Sequence, residues 1–150
     1  MDHELIVKNT IRIDAPAVKV WDTLTNPDQT KKYMFGCEAV SDWKPGSALL
    51  WRGNHQGEDI IFVKGNIVEI EPEKFLAYTT LDPNSGMEDI PENYLTVTYL
   101  LSPQDTQTVL TVTQGDYAKV ADGEKRFGEA SGNGEGWNPL LEKIKELAES

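Results

Sequence analysis

The feature that most constrains this chain is a change of period. From Cys37 to Tyr117 it reads as one extended segment after another, and from Trp137 it turns helical. Trp137, Leu140, Leu141, Ile144, Leu147 and Ala148 fall at i, i+3, i+4, i+7, i+10 and i+11, which sets one apolar stripe along a helix. A stripe of that kind needs a surface to bury it, and the concave face of the preceding strands is the place that offers one.

The elements before the final helix can be read one by one. Leu5, Val7, Ile11 and Ile13 alternate with Lys8, Thr10 and Arg12, as in a half-buried strand. Ala15-Pro16 opens a helix with Pro at its first position, and Ala17, Val20, Trp21 and Leu24 give it an apolar stripe. Asn26-Pro27 ends that helix and caps a second short one over Asp28 to Met34. Strands are expected over Cys37–Asp42, Ala48–Arg52, Ile60–Ile70, Phe75–Leu81, Tyr94–Leu101 and Gln107–Tyr117. Lys44-Pro45-Gly46-Ser47 fits a type II turn, Gly53 to Gly57 a polar hairpin tip, and Ser102 to Thr106 a further turn. Gly65 is a candidate bulge. Ala121 to Ser131 has a helical look, with a break expected between Gly132 and Pro139 because glycine and interior proline both oppose helix. Strand, two helices, a run of antiparallel strands and a long helix make an α+β fold.

Composition narrows the function. The chain has 150 residues, 14 Lys+Arg, 25 Asp+Glu and one cysteine, for a formal charge of −11. One domain over residues 1–150 is expected at that length. Phosphate neutralisation needs clustered Lys/Arg, so no nucleic-acid partner is expected. The same charge disfavours anionic membrane surfaces, and no apolar run is long enough to insert in a bilayer. One cysteine excludes an internal disulfide. The first residues lack a basic and apolar leader pattern, so the cytoplasm is the expected compartment. The charge is uneven: residues 1–81 sum to −3 and residues 82–150 to −8. Asp82 to Asn93 holds four carboxylates and no base, as a solvated surface loop or a contact for a basic partner.

Several short stretches, taken in order, resemble the START-like superfamily, also called SRPBCC or helix-grip. They are Ile13-Asp14-Ala15-Pro16 with Val20-Trp21, Leu24-Thr25 and Asn26-Pro27; Lys44-Pro45-Gly46; Val68-Glu69-Ile70-Glu71-Pro72 with Lys74 and Leu76; and Gly136-Trp137 with Leu140 and Leu141. Together they are most similar to the family homologous to the C-terminal domain of the activator of the ninety-kilodalton heat-shock-protein ATPase. The resemblance covers nearly the whole chain. It implies a curved antiparallel sheet gripping the C-terminal helix, with a cavity between them. It implies no single function, since members bind hydrophobic ligands, act as cyclase-like enzymes or serve as interaction domains. Pro139 departs from the pattern and bears on the straightness of the last helix.

Aromatic side chains with polar tips suit an apolar cavity that carries a few directed hydrogen bonds. Tyr33, Trp51, Phe62, Tyr78, Tyr99, Trp137 and Leu141 are the residues expected to line it, the alternative being that they fill the core. Trp21 lies on the first helix's stripe and reads as core. The catalytic inventory is thin. His3 and His55 read as solvated, Cys37 as a structural thiol, and Glu58 and Asp59 as pointing to opposite faces of a strand. Two His and one Cys give no metal-ligand spacing, and no cofactor is expected. The leading expectation is a small hydrophobic ligand-binding domain. The alternatives are a protein-interaction or co-chaperone-type module and a cyclase- or hydrolase-like enzyme. The partner is then a small hydrophobic molecule or another protein.

Overall fold

A computed structural model describes residues 6–34, 36–81, 83, 88–90, 93–115, 117 and 137–150. The elements are β1 (Val7–Ile13), α1 (Ala17–Thr25), α2 (Pro27–Tyr33), β2 (Glu38–Ser41), β3 (Ala48–His55), β4 (Glu58–Glu71), β5 (Phe75–Thr80), β6 (Leu95–Gln104), β7 (Gln107–Gly115) and α3 (Asn138–Glu149). The seven strands form one curved antiparallel sheet in the order β1-β7-β6-β5-β4-β3-β2. Every pairing from β2 to β7 is between sequence neighbours, and β1 closes the other side against β7. This is the α+β helix-grip fold. No described helix is long and apolar enough to cross a membrane.

Local chemistry places the helices. Asn26 caps α2 by accepting the Asp28 N–H at 3.0 Å, with Pro27 at the first helical position. Pro16 is the N-cap of α1, one residue outside the helix it was expected to begin. The helical stripe buries Val20 and Leu24. Trp137 is the N-cap of α3, and Pro139 sits in the helix's first turn, where a missing N–H breaks no hydrogen bond. From Asn138 to Glu149 the helix is therefore continuous, and Leu141, Ile144 and Ala148 bury its stripe. The expected helix at Ala121 to Ser131 and the glycines at 132, 134 and 136 lie outside the described residues, as does most of the acidic loop.

The sheet corrects three expectations. The polar tip at Gly53 to Gly57 is shorter than read: β3 runs on to His55, and the turn is Gln56-Gly57 alone. Both turn residues have positive φ, 52° and 84°, the geometry that matches the twist of a two-residue hairpin. Ser102 to Gln104 belong to β6, and the turn shrinks to Asp105-Thr106, with Asp105 at φ 58°. Gly65 is not a bulge. Register shifts fall instead between Trp51 and Arg52 on β3, opposite Phe62, and between Ile67 and Glu69 on β4. Gly65 is glycine for a different reason: a Cβ there would lie 1.6 Å from the Thr79 carbonyl oxygen of β5.

The core sits between the inner face of the sheet and the three described helices. Ile13, Tyr99, Leu110, Val112, Leu141 and Ile144 are completely buried in it. Each fully buried side chain of this size stabilises the fold by about 1.5–3 kcal/mol. α3 runs along β1. Asn9 accepts the Trp137 N–H at 2.9 Å and donates to Asn138 at 3.1 Å, and Glu149 accepts the Asp14 N–H at 2.8 Å. The helix therefore starts near the Val7–Gln114 end of the sheet and leads away from it.

Candidate functional site

Where α3 leads away, the inner face of the sheet keeps a cavity of about 340 Å³. Its walls follow from strand alternation. Trp51 on β3, Tyr78 and Thr80 on β5, Val97 on β6 and Gln114 on β7 all point inward. Trp137 forms the wall on the helix side, and Met34 and Cys37, flanking the end of α2, close another. The β3–β4 register shift turns two successive residues, Phe62 and Val63, into the lining. A bulge re-aims a side chain in this way. Gly53 makes room for the Phe62 ring: a Cβ at Gly53 would meet Phe62 Cε2 at 2.9 Å.

Of the residues expected at the site, Trp51, Phe62, Tyr78 and Trp137 are brought together around this cavity. Tyr33, Tyr99 and Leu141 are packed in the core and do not line it. Leu141 lies one turn along α3, past the cavity's edge. Tyr33 is turned towards α1, where its hydroxyl donates to the Leu24 carbonyl at 3.0 Å. Tyr99 is held between aromatic neighbours, its ring edge-on to Tyr78 at 5.5 Å and to Trp137 at 6.0 Å. Trp51 extends the row, 6.1 Å from Tyr78. Sequence reasoning passed over Met34, Cys37, Val63, Thr80, Val97 and Gln114 as lining. Three of them had a readable signal: Thr80 continues the inward series Leu76, Tyr78, Val97 stands between Leu95 and Tyr99 on one face of its strand, and Gln114 continues Thr108, Leu110, Val112.

The site's polar groups form two directed sets. The Tyr78 and Tyr99 hydroxyls are hydrogen-bonded at 2.6 Å, and Tyr33 is buried beside Tyr99. Burial pushes all three phenols above their ordinary range, so they stay protonated at neutral pH. On the other side, Trp137 Nε1–H donates to Gln114 Oε1 at 2.8 Å. An indole N–H only donates, which fixes the amide and leaves the Gln114 Nε2 group for further partners. Burial also pushes the Cys37 thiol up, which keeps it from acting as a thiolate. The His55 side chain lies outside the described residues. A second groove of about 330 Å³ opens on β2–β4 among Glu38, Arg52, Asn54 and Asp59, and its walls are charged rather than aromatic. Among the described residues, no group of His, Cys, Asp and Glu could hold a metal ion.

Residues 14–149 match the model of the family described as activator of Hsp90 ATPase homolog 1-like protein. The chain belongs to that family, within the START-like superfamily. No curated protein matches it. Among solved structures it is similar to ChR145 from Cytophaga hutchinsonii, at 34% identity and TM-score 0.74 over 98% of this chain and 95% of that one. CalU16 from Micromonospora echinospora shares the fold at 20% identity and TM-score 0.68, over 95% of this chain and 75% of that one. The Aha1 dimer from Colwellia psychrerythraea shares it at 17% identity and TM-score 0.67, over 96% of both chains.

Proposed function

We propose that residues 1–150 act as one START-like domain that binds small hydrophobic ligands in the cavity between the sheet and the start of α3. The cavity itself carries the reading: about 340 Å³ walled by Trp51, Phe62, Tyr78, Val97 and Trp137, with Thr80 and Gln114 among its polar side chains. An apolar wall with a few directed polar groups is what a small-ligand site needs. The volume is near the lower end of the roughly 300–1,000 Å³ typical of such sites, which favours a compact, one- or two-ring ligand over a long acyl chain. Among the described residues, the titratable groups in the lining are Cys37 and Tyr78, both held neutral by burial, which supports binding over acid–base turnover.

Trp51 and Trp137 stand in the wall and act as built-in reporters. Titration with a panel of aromatic and alicyclic ligands is expected to give saturable changes in tryptophan emission, and Trp51→Phe to remove much of the signal. A panel that leaves the emission unchanged overturns the proposal. Family membership favours a second reading, a protein-interaction or co-chaperone-type module. It predicts association with an Hsp90-type chaperone and a raised ATPase rate, and a null result in both assays removes it.

A further inference from the structure

The hydroxyls of Tyr78 and Thr80 in the cavity wall can each donate or accept a hydrogen bond, so neither dictates the polarity of a ligand. Gln114 is different. An indole N–H only donates, so the amide atom that faces Trp137 Nε1 at 2.8 Å must be the oxygen. The other arm of the amide is then the Nε2–H pair, which only donates. Turning the amide over would set N–H against N–H. Trp137 is itself held in place: its backbone N–H donates to Asn9 Oδ1 at 2.9 Å, and its ring meets Tyr99 edge-on at 6.0 Å. The orientation of Gln114 is therefore fixed before any ligand arrives.

Among the described residues, the bond to Trp137 is the only side-chain hydrogen bond of Gln114. Every side-chain nitrogen or oxygen there that is cut off from solvent has a partner. The Nε2 group, which has none, therefore opens onto accessible space, and Gln114 lines the cavity. Its surroundings are apolar: Val97 is its neighbour across the β6–β7 ladder, and Trp137 flanks it. A ligand entering the cavity strips solvent from this donor. One with an acceptor at that point restores the bond, and one without leaves an unpaired N–H in an apolar wall. Resting on the binding reading above, we propose that the cavity selects compact apolar ligands bearing a carbonyl-type oxygen, received by Gln114 Nε2, over ligands of the same shape without it.

Two probes of one shape test this in the full chain: 1-indanone, whose ketone only accepts, and indane, the same bicycle with no polar atom. In amide NMR spectra of isotope-labelled protein, the Gln114 side-chain N–H resonances are expected to move downfield with 1-indanone, well beyond the movement indane causes. Indane controls for the effect of the ring itself. Gln114→Glu then reverses the polarity, because a carboxylate still accepts from Trp137 but offers a second acceptor where the amide donated. In this variant 1-indanone is expected to bind about fivefold more weakly by calorimetry, after the change seen for indane is divided out. If both probes bind and move the Gln114 resonances alike, the selection is overturned and the binding reading stands. A 1-indanone affinity that merely follows that of indane in folded Gln114→Glu overturns Gln114 as the receiving group. Binding of neither probe overturns the selection together with the cavity reading. The resonance comparison needs no variant, so it decides even if Gln114→Glu does not fold.

Discussion

Along β7, Leu110 and Val112 are sealed in the core, while Gln114, the next inward position, faces the cavity. The same contrast holds across the whole sheet. In one half the inner face is covered by α1 and α3 and packs to completion around Ile13, Leu141 and Ile144. In the other, beyond the start of α3, Trp51, Phe62 and Val97 face the cavity, and none of the described helices covers them. The first half supplies stability. The second leaves Phe62 37% exposed beside the cavity, although Trp51 and Val97 there are buried. The aromatic row Trp51, Tyr78, Tyr99, Trp137 crosses from one regime to the other.

That contrast can be broken at its joint. The β2–β4 arm meets the gripped half through the β4–β5 ladder, and at Gly65 the two backbones approach too closely for any side chain. Gly65→Ala is expected to have the largest effect, a loss of at least about 4 kcal/mol of stability, read by urea denaturation. Next comes a pair that separates the two halves. Leu141→Ala in the gripped core is expected to cost about 2–5 kcal/mol. Phe62→Ala in the cavity wall is expected to cost about 1 kcal/mol or less while weakening ligand binding severalfold. Comparable stability losses from the two would mean that the cavity end is packed like the core. The smallest effect is electrostatic. Hydrogen bonds from Lys145 and from the Asp14 N–H hold the Glu149 carboxyl below its ordinary range. A depressed folded value means the contribution is present above the unfolded pKa and is lost as pH falls through the folded one. Glu149→Gln is therefore expected to lose a little stability at neutral pH and to converge with the unmodified chain as pH falls, giving a shallower acid dependence in urea denaturation.

Features governed by neighbours in sequence were the legible ones. Asn26-Pro27 names its own cap, Lys44-Pro45-Gly46-Ser47 its own turn, with Gly46 at φ 86° and the Ser47 N–H on the Lys44 carbonyl at 2.9 Å. The period of Trp137 to Ala148 announces α3, although its first residue proves to be the cap. What was not legible depends on partners distant in the chain. Gly53 and Gly65 look like turn and bulge signals, yet one makes space for Phe62 and the other for the Thr79 backbone, and neither partner is a sequence neighbour. The cavity lining was only partly legible for the same reason. Tyr78 and Tyr99 occupy equally inward positions on paired strands, and only the position where α3 begins decides that Tyr78 lines the space and Tyr99 does not. Alternation gives the face of a side chain, but not what lies opposite it.

The order in which the grip is built has a consequence for biosynthesis. α3 follows every described strand, yet it is tied to the first one, through Asn9 to Trp137 and Asn138 and, just after β1, through Asp14 to Glu149. As the polypeptide leaves the ribosome, all seven strands emerge before the helix that covers their inner face. Contacts of such long sequence separation close late, and a nascent chain waits with its apolar face open until they do. The residues from Trp137 onward thus set the moment at which this protein stops needing protection from its neighbours.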